Sequence, residues 1–336
     1  MAHDPPPKFP LQTSDALTQW LMDSDPSIRW QVMRDLTDAP ENEVAAERAN
    51  VATQGRGAQL LGMQARDGTW GGTAWNRGWT STLHALTLLY EFGLDPQADP
   101  TRRALDRVRE QVTWRGCGPN ECANHPFFDG EVEPCINGQV AVAGAYFAQD
   151  VRRIIERLLR EQLPDGGWNC EVENGSGRSS FNTTICVLEA LLEFEERNGH
   201  RRDVSAARRQ GEAYLLERRL FRRKSTGSTI DFDRKTGPGS TSDQPAWTRF
   251  AFPTWWHYDL LRGLEYFRKA GAAPEERMAE AMDWVRSKRD AEGRWLLEVR
   301  YPGPMLLEID PPQGQPSRWN TLRALRVLRW YSEGKP

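Results

Sequence analysis

The sequence predicts an all-α protein, an (α/α)6 toroid in which about twelve helices form a closed barrel of inner and outer rings. Three observations lead to this prediction. A seven-residue phrase recurs between helix-like segments, long and short connections alternate along the chain, and every second helix is apolar on nearly all sides. No stretch keeps a period-two alternation of apolar and polar residues, so few strands are expected.

The recurring phrase reads Gln, three residues, Gly, one residue, Trp. Complete copies span residues 64–70 and 162–168, and residues 289–295 keep the Gly and the Trp. Each copy ends one helical segment and is followed by a loop and a second, more apolar segment. The phrase therefore indicates an internal repeat of helical pairs, and such repeats decide the fold class.

The helices follow in order from local signals. Ser14 is a candidate N-cap for a short helix that carries Leu17 and Leu21, and Asp25 followed by Pro26 opens a second helix. Apolar periodicity predicts further helices at residues 41–63, 79–92, 100–112, 135–147, 151–161, 181–196, 204–220, 253–269, 274–288 and 317–331.

The connections and the apolar faces arrange these helices as a ring. Loops within a pair are long and rich in Gly, Trp and Cys, whereas connections between pairs have two to seven residues. The second helix of a pair, such as 184–192, is apolar nearly all round, and the first, such as 151–160, carries one apolar stripe. Six buried helices inside six half-buried ones form a toroid whose long loops gather at one end, where we expect the chemistry.

Composition restricts the class of protein. Among 336 residues, 27% are charged and five cysteines are scattered, which is typical of a reducing compartment, so we expect a cytoplasmic protein. The net charge of −3 gives no support to nucleic-acid binding, and no transmembrane segment is expected because no window approaches 18 apolar residues. Residues 1–12 predict a disordered lead-in without a signal peptide, followed by one domain over residues 13–332.

The repeat phrase resembles the Q-x-x-x-G-x-W signature of the terpenoid cyclase and protein prenyltransferase α/α-toroid superfamily. The resemblance covers residues 57–331 and the length of one such toroid. It implies the toroid fold and a squalene-cyclase-like or prenyltransferase-like enzyme, an isomerase or a transferase, acting on a small hydrophobic, isoprenoid substrate. The D-x-D-D acid of class II cyclases is absent, and the cysteine phrases at 120–122 and 168–170 lack the Asp of the prenyltransferase D-x-C zinc pair.

A cluster of metal-ligand residue types lies in the loop between the predicted helices at residues 100–112 and 135–147. Cys117, Cys122, His125 and Cys135 fall within 19 residues, and three thiolates with one imidazole suit tetrahedral zinc. Cys170 in the next long loop is an alternative ligand that would join two repeats. The competing interpretation is that these are loop and core thiols without a metal.

Acidic residues supply candidate catalytic groups. Glu131 and Glu133 precede an inner helix, where they either stabilise the helix N-terminus or act as general acid or base. Asp231 and Asp233 form a D-x-D pair that would suit magnesium and a diphosphate, although zinc is the favoured metal. His257 is the fifth catalytic candidate, and the alternative for this ring is a packing role.

Aromatic residues precede several inner helices and are expected to line the central cavity. Such rings would bind an apolar substrate and stabilise a cation, or they simply pack in the core. The candidate substrate-binding residues are Trp75, Trp79, Phe127, Phe128, Trp255, Trp256 and Trp319.

Three functions remain open on the sequence. The first is a cyclase or transferase with an aromatic-lined cavity for a small hydrophobic substrate, by proton-initiated cyclisation or zinc-assisted transfer. The second is a non-catalytic toroid that binds a lipid or peptide at its long-loop face, with a structural zinc. The third is a polysaccharide lyase or hydrolase, because stacked tryptophans also bind sugars, and the missing secretion signal disfavours it.

Overall fold

The computed structural model describes residues 14–114, 124–230 and 247–334. Within these ranges the chain forms thirteen α-helices and one two-stranded sheet, in which β1 (Trp295–Leu296) pairs antiparallel with β2 (Pro316–Ser317). The helices are α1 (Asp15–Met22), α2 (Pro26–Asp35), α3 (Glu41–Ala49), α4 (Gly55–Gly62), α5 (Thr82–Glu91), α6 (Asp99–Gln111), α7 (Pro134–Tyr146), α8 (Arg152–Arg160), α9 (Phe181–Asn198), α10 (Arg202–Leu216), α11 (Leu260–Lys269), α12 (Ala279–Ser287) and α13 (Arg318–Glu333). The whole predicted lead-in, residues 1–12, lies outside the described residues.

The helices form two concentric rings, which confirms the predicted all-α toroid. Helices α2, α5, α7, α9, α11 and α13 form the inner ring, and the outer ring consists of α1, α3 with α4, α6, α8, α10 and α12. Burial follows this division: α7 is buried at all 13 positions, whereas α8 buries three of nine. Helix α13 packs on α2 and so closes the ring.

The repeat phrase fastens each outer helix to its surroundings. The indole N–H groups of Trp70, Trp168 and Trp295 each donate, at 2.7 Å, to a main-chain oxygen ten residues earlier in the preceding outer helix. Gln162 Nε2 donates at 2.7 Å to the oxygen of Gly166 and at 2.8 Å to that of Ala207, in the next outer helix. The phrase is therefore a structural tie between consecutive pairs.

Two predicted helices have different boundaries in the structure. Residues 41–63 divide into α3, a 3-10 turn (Asn50–Ala52) and α4, because Gly55 adopts a left-handed φ of 62° close to the Asp25 carboxylate. The helix predicted from residue 253 begins only at Leu260, where Asp259 caps it by accepting a bond from Arg262 N at 2.7 Å. The aromatic run before Asp259 is consequently loop.

All inner helices run in the same direction through the ring. Apart from α2, which follows α1 after three residues, each inner helix follows a long loop, so these N-termini share the long-loop end and the C-termini lie at the opposite end. In the part of the chain that the structure covers, no helix is both long and apolar enough to cross a membrane.

Candidate active site

A cavity of about 610 Å³ lies at the centre of the ring, and all six inner helices contribute to its wall. Tyr90 and Glu91 close α5, Tyr146 ends α7, and Arg34 and Asp35 end α2. The cavity therefore lies near the C-terminal ends of these helices, where the short connections are. The sequence led us to expect the site at the other end.

The wall of this cavity is mainly charged. Among the described residues, 14 of the 23 that line it carry a charged group, eight of them basic and six acidic. They are Arg34, Asp35, Arg48, Glu91, Glu189, Glu193, Glu196, Arg197, Arg262, Glu265, Arg268, Lys269, Arg323 and Arg326. The wall differs from the aromatic lining expected from the sequence.

The predicted aromatic residues occupy the other end of the ring, where they pack against one another. Trp79 and Trp255 stack with ring centroids 5.2 Å apart, although 176 positions separate them in the chain, and His84 meets both edge-on. Trp319 is buried between Phe92 and Phe252. Phe127 and Phe128 are buried, and Trp75 and Trp256 are half-buried. None of the seven lines the central cavity in the described structure, because their rings fill the interior near the N-termini of the inner helices.

Glu91 is the unusual acid of the cavity. It is the last residue of α5, and its carboxyl group makes no hydrogen bond with any of the described residues. Burial raises the pKa of Glu91 to about 7; Arg323 opposes this rise, while Glu189 and Glu265 add to it. A carboxyl with that pKa can both give and take a proton at neutral pH.

Most other charges in the cavity are paired. Arg262 holds Glu189 through two bonds, Nε to Oε1 at 2.8 Å and NH2 to Oε2 at 2.6 Å. Lys269 contacts Glu193 and donates to Tyr90 Oη at 2.9 Å. Such pairs offset the desolvation of buried charges and fix the shape of the wall.

A second ion pair joins Asp35, at the end of α2, to Arg326 of α13. Arg326 Nε lies 2.7 Å from Asp35 Oδ2. Burial would raise the pKa of Asp35, but Arg326 and Arg34 outweigh it and hold that pKa at about 2. Asp35 is therefore ionised at neutral pH, in contrast to Glu91.

Arg268 is the least satisfied base of the wall. Its Nε has no hydrogen-bond partner among the described residues, and the nearest carboxylate oxygen, on Glu265, is 3.8 Å away. Burial lowers the pKa of Arg268 from its ordinary value.

The three predicted catalytic residues that the structure describes lie at the long-loop end. His257 is buried between Trp256 and Tyr301, with centroid separations of 3.6 and 3.5 Å, and burial lowers the pKa of His257 to about 3. Burial raises the pKa of Glu131 to about 7, and its Oε1 accepts a bond from Glu133 N at 2.6 Å. Glu133 is exposed. The predicted Asp231 and Asp233 lie outside the described residues, so magnesium binding there stays a prediction.

The structure brings together part of the predicted metal cluster. Cys135 lies beside Cys170 and Glu133, and the ligand atoms of these three residues are within 4.8 Å of one another. Two thiols and a carboxylate are donors that zinc accepts. His125 belongs to no such cluster among the described residues, and Cys117 and Cys122 lie outside them.

The sequence did not point to Glu91, Arg268 or the other cavity residues. In the sequence Glu91 is an ordinary acid in a last helical turn, followed by Phe92 and Gly93. The available signal was its position: on an inner helix, a charged residue near the C-terminus faces either a neighbour or the axis. Several inner helices carry such charges near their ends, notably at 189–197 and 262–269.

Comparisons with known proteins give structural neighbours only. Neither the family models nor the curated proteins compared with this sequence match it. Among solved structures, the chain is similar to an Arg-to-Ala variant of the type II terpene cyclase MstE from Scytonema, in complex with geranylgeranyl dihydroxybenzoate. The two are 15% identical over 92% of this chain and 87% of that chain, with a TM-score of 0.42.

Another such structure is ent-copalyl diphosphate synthase from Streptomyces platensis. It is 15% identical over 92% of this chain and 50% of that chain, with a TM-score of 0.37. The toroid of this chain is defined by its own helix contacts, described above.

Proposed function

We propose that this toroid is a terpenoid-cyclase-like enzyme that performs acid–base chemistry in its central cavity, with Glu91 as the proton donor and acceptor. The observation that carries the proposal is the Glu91 carboxyl, which faces a cavity of about 610 Å³ without a hydrogen-bond partner among the described residues. Its pKa of about 7 leaves it half protonated at neutral pH. That is the state a general acid or base needs.

The charges around Glu91 favour a substrate that carries an anionic group. The bases outnumber the acids in the wall by eight to six, and Arg268 has no carboxylate closer than 3.8 Å among the described residues. Guanidinium groups bind carboxylates and phosphates through charge-assisted hydrogen bonds. Leu192, Phe252 and Trp30 add apolar surface for the remainder of such a molecule. An isoprenoid diphosphate, small enough for the cavity, combines both properties.

In this proposal the residues divide the work as follows. Arg268 and its basic neighbours hold the anionic group, and Glu91 donates its proton to the reacting atom or removes one from it. The paired Arg262 and Glu189 keep the wall rigid, so the geometry is set before the substrate arrives. Water then restores the protonation state of Glu91.

A second candidate is the non-catalytic toroid. It is favoured by the pairing of most cavity charges with one another, as in Arg262 with Glu189 and Arg326 with Asp35. A wall of satisfied ion pairs is also what a purely structural polar core contains. The two candidates differ in what Glu91 is expected to do.

The test combines ligand binding with turnover. Purified protein is incubated with inorganic pyrophosphate, with prenyl diphosphates of increasing length, and with the matching prenyl alcohols. Binding is read by calorimetry and products by mass spectrometry. We expect the diphosphates to bind and at least one to be converted, and the alcohols to bind more weakly because they lack the anion.

Glu91→Gln separates catalysis from binding. It should retain ligand binding but lose turnover by about 100-fold or more, the usual contribution of a general acid or base. Glu156→Gln, on the exposed face of outer helix α8, is the matched control and should behave as wild type. Binding without any turnover in the wild type would favour the non-catalytic toroid, and equal turnover in Glu91→Gln would refute the role of Glu91.

A further inference from the structure

Three potential ligands converge at the long-loop end, away from the central cavity. Glu133 and Cys135 lie at the start of α7, and Cys170 lies in the loop between Trp168 and α9. Their ligand atoms are all within 4.8 Å of one another. Cys135 is the second residue of α7 and Tyr146, at the central cavity, is the last, so about 17 Å of helix separates the two sites.

The close packing of α7 on α9 brings these residues together. A Cβ built on Gly138 would lie 2.6 Å from the main-chain oxygen of Cys186, so only glycine permits this approach. The contact fixes the first turns of α7 against α9, and the loop that carries Cys170 leads directly into α9. The cluster is thus built by two consecutive repeats and does not depend on one flexible segment.

The surroundings of the sulfurs suit thiolates bound to a cation. Cys135 N donates to Cys170 Sγ at 3.4 Å, so the N-terminus of α7 points at that sulfur. Thr183 Oγ1 lies 3.4 Å from the same atom, and Glu133 Oε2 lies 3.7 Å from Cys135 Sγ. These three ligand atoms therefore lie close together from two consecutive repeats, and a divalent cation would take the place of the thiol protons between them.

We propose that Glu133, Cys135 and Cys170 bind a thiophilic divalent cation of the zinc class and thereby join two repeats at the long-loop end. Bonds of about 2.3 Å to sulfur and about 2.0 Å to oxygen in a tetrahedron place ligand atoms roughly 3.5–3.8 Å apart, close to the spacing here. Soft thiolate ligands select against magnesium and calcium. Glu133 is exposed, so water can occupy the fourth position.

The site differs from the one expected from the sequence. Of the two predicted ligands that the structure describes, Cys135 takes part and His125 does not; Cys170 joins it from the next repeat, and Glu133, predicted as a catalytic acid, becomes a ligand. The proposal does not rest on the acid–base role of Glu91. A failure at one site leaves the other unaffected.

The experiment uses the full chain, reduced and freed of metal, and titrates it with Co²⁺ under nitrogen. Wild type should bind one equivalent with intense sulfur-to-cobalt charge-transfer absorption, and Zn²⁺ should displace the cobalt. Cys135→Ser and Cys170→Ser should lose this absorption. Glu133→Gln should keep it but bind at least about tenfold more weakly, since even an outer partner of a metal contributes that much.

Cys186→Ser is the matched control, because Cys186 is a buried free cysteine of α9 outside the cluster. It should titrate as wild type. Unchanged titration in Cys135→Ser or Cys170→Ser overturns the proposal. So does loss of the site in Cys117→Ser/Cys122→Ser while Cys135→Ser retains it, which would place the metal elsewhere.

A measurement on the wild type alone covers variants that fail to fold. Alkylation of each cysteine is followed by peptide mass spectrometry with and without one equivalent of Zn²⁺. Zinc should slow the alkylation of Cys135 and Cys170 together and leave that of Cys186 unchanged. Equal rates with and without zinc, or a Cys135–Cys170 disulfide that forms in place of metal binding, contradict the proposal.

Discussion

Replacing Glu91 by Gln exchanges a carboxyl that titrates near neutral pH for an amide of similar shape that does not titrate. Burial raises the pKa of Glu91 to about 7 in the folded protein, against an ordinary value of 4.5. Below pH 4.5 the carboxyl is protonated in both the folded and unfolded states, so its full contribution to stability is present. As the pH rises towards 7, the unfolded chain ionises first, and the free energy of unfolding falls.

The size of the effect follows from the two pKa values. A difference of one in pKa corresponds to about 1.4 kcal/mol. With a pKa of 4.5 in the unfolded chain and about 7 in the folded protein, the free energy of unfolding of the wild type falls by about 2.5 kcal/mol between pH 5 and pH 8. The Glu91→Gln variant does not lose this free energy, because its amide does not titrate. The difference in unfolding free energy, variant minus wild type, should therefore increase by about 2.5 kcal/mol across that range.

Urea unfolding followed by tryptophan fluorescence at several pH values from 5 to 8 measures this difference directly. Other buried acids, such as Glu131, add to the pH dependence of both proteins and cancel in the subtraction. Glu156→Gln should show a difference that does not vary with pH. If the Glu91→Gln difference changes by less than about 0.5 kcal/mol, Glu91 is not held protonated by burial.

Three further predictions concern stability. Gly138→Ala should destabilise the protein by about 1–3 kcal/mol or more, because its Cβ would lie 2.6 Å from the Cys186 main chain. Gly62 has open space around it, so Gly62→Ala should be neutral or stabilise the protein by up to about 1 kcal/mol. Thermal unfolding compares the two variants. Trp168→Phe should cost about 2–4 kcal/mol in urea unfolding, since it removes buried volume and the indole bond. Arg262→Met should cost about 3–5 kcal/mol in the same assay, because it leaves a carboxylate and two carbonyl oxygens without their donor.

The fold could be predicted because its signals repeat. Gln64 to Trp70 and Gln162 to Trp168 mark the ends of outer helices, and apolar periodicity identifies the inner ones. The predicted helix boundaries were wrong where a single residue interrupts the apolar periodicity of a helix. Gly55 interrupts a helical pattern through its left-handed backbone, and Asp259 starts α11 late by capping it. Both effects depend on contacts with distant parts of the chain.

The candidate site was harder to predict because a ring has two ends. Aromatic residues mark the long-loop end in the sequence, but nothing local says whether their rings surround a space or fill it. Trp79 and Trp255 fill it by stacking across 176 positions. The pKa of Glu91 is raised by its burial within the ring, and it is further modified by Arg323, Glu189 and Glu265 from three other helices. A pKa of this origin has no counterpart in the local sequence.

The glutamines of the repeat phrase act on the circumference of the ring. Gln64 and Gln162 each donate a hydrogen bond to the main chain of the following outer helix, so they link neighbouring helical pairs around the ring. These links resist the separation of neighbouring helical pairs. We therefore expect a ligand to enter along the axis, from the end with the short connections, and not by parting two inner helices. On such a route the width of a molecule, and not only its charge, would decide whether it reaches the wall.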